Sequence, residues 1–259
     1  MSDFPEVNPA LDSSFALPAD SVAFYDDYEE HRSRLTTFFR FITVIPHLIV
    51  LYFYGIVAGL ATIVAWFAIV FTAKYPEGIY KFVADYQRYN VRVTAYYLLV
   101  TDKFPPFGGN PDVPYAAHFL IGPPLEKYSR AKTFFRFLLI IPFAIVAYVL
   151  IIVAEIVSIA AWFVIVITGK QPQGIANALS FTFGYVARLG AYTSLLTEDW
   201  PKFSDEDVTR SLQEKGYAGT IPPAEGAVAA PAVPAATEPT PPAPPTPPAP
   251  PTPPAPPTV

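Results

Sequence analysis

The chain has no cysteine and one methionine among its 259 residues. Without thiols it has no disulfide framework, no thiolate metal site and no cysteine nucleophile. Charge is missing from two long stretches. Phe41 to Ala73 holds no Asp, Glu, Lys or Arg over 33 residues, and Phe137 to Gly169 holds only Glu155 over another 33. Roughly 20 apolar residues suffice to cross the hydrocarbon core of a bilayer. Helices buried in soluble proteins rarely run so long without charge, so these stretches predict an integral membrane protein of the cell membrane. A cleavable signal, with its basic start and short apolar core, is also missing from the first 40 or so residues. The first apolar stretch is therefore expected to act as the insertion signal.

Basic residues are absent from positions 1–30, which carry eight acids. Positions 31–220 hold all 17 Lys and Arg against 12 acids, and 221–259 hold only Glu225 and Glu238. The net charge of -5 thus belongs to the ends, and the apolar body is mildly basic. No cluster of Lys and Arg interleaved with aromatics points to nucleic acid. There is no phosphate loop, dinucleotide fingerprint, zinc-protease motif or Ser/His/Asp arrangement. No catalytic residue, cofactor or metal is therefore assigned.

What the chain does have is an internal repeat. At a constant offset of 96 residues it matches itself without a gap. Arg34 falls on Arg130, Thr37–Phe41 on Thr133–Phe137, Ile45-Pro46 on Ile141-Pro142, and Ala65-Trp66-Phe67 on Ala161-Trp162-Phe163. Thr72, Lys74, Pro76 and Gly78 fall on Thr168, Lys170, Pro172 and Gly174. Arg92, Tyr96, Thr101 and Pro105 fall on Arg188, Tyr192, Thr197 and Pro201.

These residues carry a resemblance. The pattern R-x(5)-R-x(4)-I-P-H, an apolar run to A-W-F, then T-G-x-x-P, R-x-x-x-Y and L-T-D-x-x-P-P-F resembles the DUF4389 family of bacterial membrane proteins. Repeat 1 supplies Arg34, Arg40, Ile45-Pro46-His47, Ala65-Trp66-Phe67, Thr72, Pro76, Arg92, Tyr96 and Thr101–Phe107. Repeat 2 departs at Phe143, where the pattern has His, and at Trp200-Pro201-Lys202-Phe203, where it has Pro-Pro-Phe. The resemblance covers both repeats and implies a membrane fold. It brings no activity with it.

Each repeat reads as a short interfacial helix followed by a helical hairpin. Arg32, Arg34 and Arg40 beside Phe38, Phe39 and Phe41 suit the headgroup zone. Pro46 kinks or starts a helix, so residues 32–45 are expected to form the interfacial helix and 46–73 the first span. Lys74–Gly78 is a turn. Residues 77–101 follow as a second helix whose Lys81, Asp85, Arg88 and Arg92 share one stripe. That helix either lies on the membrane surface or spans with its stripe turned inward; its counterpart at 174–197 carries only Arg188. The expected fold is an all-α membrane protein of two tandem hairpins, about four transmembrane helices near 46–73, 77–101, 142–169 and 174–197. The domains run 1–31 (acidic and disordered, though Phe15, Phe24 and Tyr25 are free to dock), 32–109 (repeat 1), 110–127 (a proline-containing linker), 128–205 (repeat 2) and 206–259 (a disordered tail). Residues 222–259 contain 17 prolines, which favours a polyproline II spacer or a partner-binding strip. The Lys and Arg distribution puts both termini in the cytoplasm.

Candidate site residues are few. Glu155 sits midway along the second apolar stretch, where a carboxyl is unfavourable unless turned inward and paired. Its expected partner is Arg88, Arg92 or Arg188, with Asp85 in the same stripe. His47 has no second ligand at metal spacing and reads as an interfacial or internally satisfied histidine. Two functions follow: a non-enzymatic membrane scaffold or accessory subunit, its partners the lipid bilayer and a cytoplasmic protein reached through the proline-rich tail; or a small transporter, channel or ion-coupled module built on Glu155 and the charged stripe. The sequence leaves the oligomeric state open.

Overall fold

A computed structural model describes residues 19–203. The acidic start and the proline-rich tail lie outside the described residues, and with them the readings of disorder and polyproline II made for those segments.

Local chemistry sets most helix ends. Helix α1 (Arg34–Thr43) starts where the Ser33 hydroxyl accepts from the Thr36 N–H, a side-chain cap on an orphan donor. Helix α2 (Ile45–Thr72) carries Pro46 in its first turn, where no backbone donor is lost, and stops at Ala73 in the left-handed conformation. After Pro76 comes α3 (Glu77–Tyr97). Repeat 2 follows the same plan with α4 (Arg130–Phe134) capped by Ser129, α5 (Arg136–Thr168) and α6 (Gln173–Thr193). One difference is that α5 begins a turn and a half before Pro142 and carries that proline inside it, whereas Pro46 stands at the start of α2. The hairpins α2/α3 and α5/α6 match the two tandem hairpins expected.

One expectation is met in part and another needs correction. Only α2 and α5, of the four helices read as spans, are long and apolar enough to cross a membrane. Helix α3 is diluted by its charged stripe and α6 by Gln173, Asn177, Ser180, Thr182 and Arg188, because both are interior helices of a partly polar body. The segments read as irregular also contain structure. Val22–Asp26 forms strand β1 and Ala117–Ile121 forms strand β2, paired antiparallel with Phe24 opposite Phe119. Each strand enters its repeat just upstream of the capping serine, so the structural unit is strand, short helix, long helix, interior helix. Phe24 does dock: it is buried edge-on against Phe183 of α6 at 5.2 Å.

The two copies interlock around an approximate two-fold axis. Trp66 Nε1 of α2 donates to Thr133 O of α4 at 2.9 Å, and Trp162 Nε1 of α5 donates to Thr37 O of α1 at 3.1 Å. Arg32 N–H donates to Gly169 O at 3.0 Å, and Tyr128 N–H to Ala73 O at 2.9 Å. The end of each long helix therefore meets the start of the other repeat, and α2 and α5 run antiparallel. Between them α3 and α6 also run antiparallel: Tyr80 near the start of α3 donates to Leu196 O beyond the end of α6, while Gln171 before α6 donates to Leu99 O beyond the end of α3.

Along the axis the body is stacked in three layers. On one side of α3, Tyr80 donates to Gly122 O at 2.6 Å and Arg88 to Ile121 O at 3.4 Å, at the end of β2. On another, Tyr86 and Phe82 pack against Tyr54 of α2. Tyr97 reaches α5. The sheet thus covers α3 and α6 from above, and the long helices lie beneath. The two ends of the described residues meet where Glu198 N–H donates to the Asp20 carboxylate at 2.6 Å.

Candidate functional site

The outer layer turns the usual pattern inside out. On α1 the buried residues are Thr37 and Arg40, while Leu35, Phe38, Phe39, Phe41 and Ile42 are exposed. On α4 and the start of α5 the buried residues are Thr133 and Arg136, while Phe134, Phe135, Phe137 and Leu138 are exposed. Only 11% of the most apolar window of either α2 or α5 is buried. A water-facing helix would show the opposite arrangement.

The buried arginines form two equivalent stations. Arg40, 1% exposed, donates through Nη1 to Tyr96 O and to Thr101 O, the latter at 2.8 Å. Its guanidinium lies 4.2 Å from the Tyr96 ring centre and pairs with Asp102. Arg136, 2% exposed, donates to Tyr192 O at 2.8 Å and Thr197 O at 2.9 Å, 4.0 Å from the Tyr192 ring centre. Each cation thus sits on the last carbonyls of an interior helix, the negative end of its dipole. Burial pushes the Arg40 pKa down and the Asp102 carboxylate pulls it back up, but a guanidinium stays charged. The acids diverge. Asp102 bonds Arg40 and also accepts from Ser33 N–H at 3.0 Å, whereas Glu198 accepts from Ser129 N–H at 2.6 Å and pairs with Lys132 at 3.6 Å. The sequence signal for these stations was their recurrence in Thr-Phe-Phe-Arg-Phe, which reads equally well as an interfacial cluster.

The residues singled out from sequence lie apart. Asp85 and Arg88 pair with each other at 3.0 Å. Arg92 donates to the carbonyls of Gly108, Asn110 and Val113 at 3.2, 2.8 and 2.8 Å. The stripe therefore fastens the segment before β2 onto α3. Gly109 is needed there, since a Cβ at that position would lie 1.7 Å from Asp85 O. Glu155 is half-buried, and the partner it meets is the Tyr97 hydroxyl at 3.4 Å. The expected pairing with Arg88, Arg92 or Arg188 is corrected accordingly: Arg88 and Arg92 are taken up by Asp85 and by loop carbonyls, and Glu155 meets Tyr97 and none of the three arginines. Arg188 is buried beneath a small cleft lined by Val22, Thr197, Asp199, Trp200 and Lys202. His47 is 0% exposed; its Nδ1 lies 2.8 Å from the Tyr89 hydroxyl and its ring stacks on Phe107 at 4.1 Å. In repeat 2 Phe143 takes its place against Trp200 at 5.0 Å. Among the described residues no three His, Cys, Asp or Glu side chains gather as a metal would need.

Chemically the arrangement holds a shape. Arg40, Arg92 and Arg136 each end on backbone carbonyls, and Asp102 and Glu198 each accept a capping amide, although Nε of Arg40 and Nε and Nη2 of Arg136 keep no hydrogen-bond partner in the buried interior. The family described as Domain of unknown function (DUF4389) matches residues 34–108 and again 130–205. No curated protein and no solved structure matches the chain.

Proposed function

The chain belongs to the DUF4389 family, and we propose that it is a non-enzymatic scaffold or accessory subunit seated in the cell membrane, with both tails in the cytoplasm. The observation that carries the membrane seat is the reversed pattern of α1 and α4, Arg40 and Arg136 inward and their phenylalanines outward. In water that exchange exposes apolar area and buries charge, and both are unfavourable. In lipid both terms change sign. The scaffold role is supported by the absorbed charges of the interior, with Arg40, Arg88, Arg92 and Arg136 all engaged. It is supported too by the hydrogen bond between Glu198 and Asp20, which brings the two ends of the described body together. The proline-rich segment 222–259 is then the part that reaches a cytoplasmic protein.

One observation favours a transporter or ion-coupled module instead: Glu155, a carboxyl midway along α5 held by a single 3.4 Å contact with Tyr97. Reconstitution separates the two. Liposomes holding the full chain should pass protons and small ions no faster than empty ones. Flux above that background, lowered by Glu155→Gln, would overturn the scaffold reading. The tail is tested by affinity capture with and without residues 222–259. Loss of specific cytoplasmic partners on truncation is expected, and identical partner sets would remove the tail from the proposal.

A further inference from the structure

Three observations together fix how such a body sits in a bilayer, given the membrane seat proposed above. First, α2 and α5 run antiparallel and are exchanged by the two-fold axis, which passes between Phe24 and Phe119 in the sheet and between α3 and α6 below it. Second, the face opposite the long helices is polar. His118 on β2 pairs with Asp27, which is 53% exposed, and Asp112 is exposed in the segment Arg92 anchors. Third, Lys74, Lys127 and Arg130 are exposed at the ends of the apolar helices, beside Arg34, Lys132 and Lys170, which are exposed too but already meet Thr168 O, Glu198 and Glu30.

Antiparallel spans would force the axis into the plane of the bilayer. The sheet would then lie level with the hydrocarbon midplane, with Asp27 and Asp112 beside lipid. Carboxylates at that depth are unfavourable and, where they occur, face a bundle interior or a water-filled cavity rather than lipid. With the axis along the membrane normal the conflict disappears. The long helices form one layer about 10 Å thick, which fits inside one leaflet of a core about 30 Å across. The sheet stands in water, and the exposed cations meet phosphate headgroups, as juxtamembrane Lys and Arg do.

We infer that α2 and α5 do not cross the bilayer but lie side by side in the plane of a single leaflet, so that the surface of α1, α2, α4 and α5 is a docking face for one lipid monolayer. Lys74 and Lys170, just beyond the ends of α2 and α5, then stand on the same side of the membrane. Spanning helices would put them on opposite sides. The chain has no native cysteine, so the double variant Lys74→Cys/Lys170→Cys offers two thiols and no others. The full-length double variant is reconstituted into sealed vesicles containing phosphatidylglycerol, treated with an impermeant maleimide and weighed intact. Both thiols of a molecule share one fate under this inference, so every molecule carries two labels or none, whichever way it faces. A population carrying one label each would overturn it. Flotation with the same vesicles is the separate arm: a chain that fails to float removes the membrane seat itself, and the inference with it. Detergent-opened vesicles must yield two labels per molecule, which shows that the substituted sites stay accessible.

Discussion

At the scale of single residues, the repeat supplies its own controls. Ala73 and Gly169 are equivalent helix stops, and both adopt positive φ, 60° and 74°. A side chain in that region costs about 1 kcal/mol or more, and glycine avoids the cost. Ala73→Gly should therefore stabilise the protein by about 0.5–1 kcal/mol, despite the added freedom of the unfolded chain. Thermal melting in detergent reads it, and a fall in melting temperature would show that packing of the Ala73 methyl outweighs strain. The arginine stations offer a second comparison. Arg40→Gln strands both the carbonyls and Asp102 and should cost about 3–5 kcal/mol, as breaking a buried ion pair does. Arg136→Gln leaves carbonyls alone and should cost about 1–3 kcal/mol. Equal losses from denaturant melts would contradict the unequal role assigned to Asp102 and Glu198. Leu99 and Leu195, equivalent as well, share a strained φ of 63° and are both buried, so each repeat accepts strain to seat a leucine in the core.

At the scale of elements, the helices were largely legible and the strands were not. Apolar stretches, Pro46, Pro76 and Gly169 announce where helices begin and end. The strands are five residues each; β1 sits in an acid-rich segment and β2 follows a run of prolines, so composition hides both. Helix α3 was ambiguous because its stripe suits either water or an interior partner. The structure gives it the interior, with Arg92 on three carbonyls. Glu155 was conspicuous in sequence but has a modest contact. Arg40 and Arg136 looked interfacial, since nothing in a linear reading reveals that their phenylalanines point away from the core and the guanidiniums into it. The tryptophans of Ala-Trp-Phe recur for a reason visible only in three dimensions: each bonds the other repeat. Trp66→Phe and Trp162→Phe should each cost about 1 kcal/mol, the net worth of a hydrogen bond. Their losses should add, because the sites share no partner. Strong coupling in the double variant would mean that the two junctions do not act as separate latches.

At the scale of the whole molecule, the interlock makes the two repeats one body, and the charges ending on its own backbone leave an apolar outer layer to be covered. The proposed cover is lipid, over the face made by α1, α2, α4 and α5. Depth-dependent quenching tests that claim most directly. Single cysteines carrying a bimane dye would replace Phe39, Phe53, Phe67, Phe135, Tyr148 and Phe163 on the apolar face, and Asp27, Lys81 and Asp112 on the polar layers. With lipids bearing a quencher midway along the acyl chain, the first six should lose most of their fluorescence and the last three almost none. Equal quenching of the two sets, or none at the aromatic positions, would contradict the account.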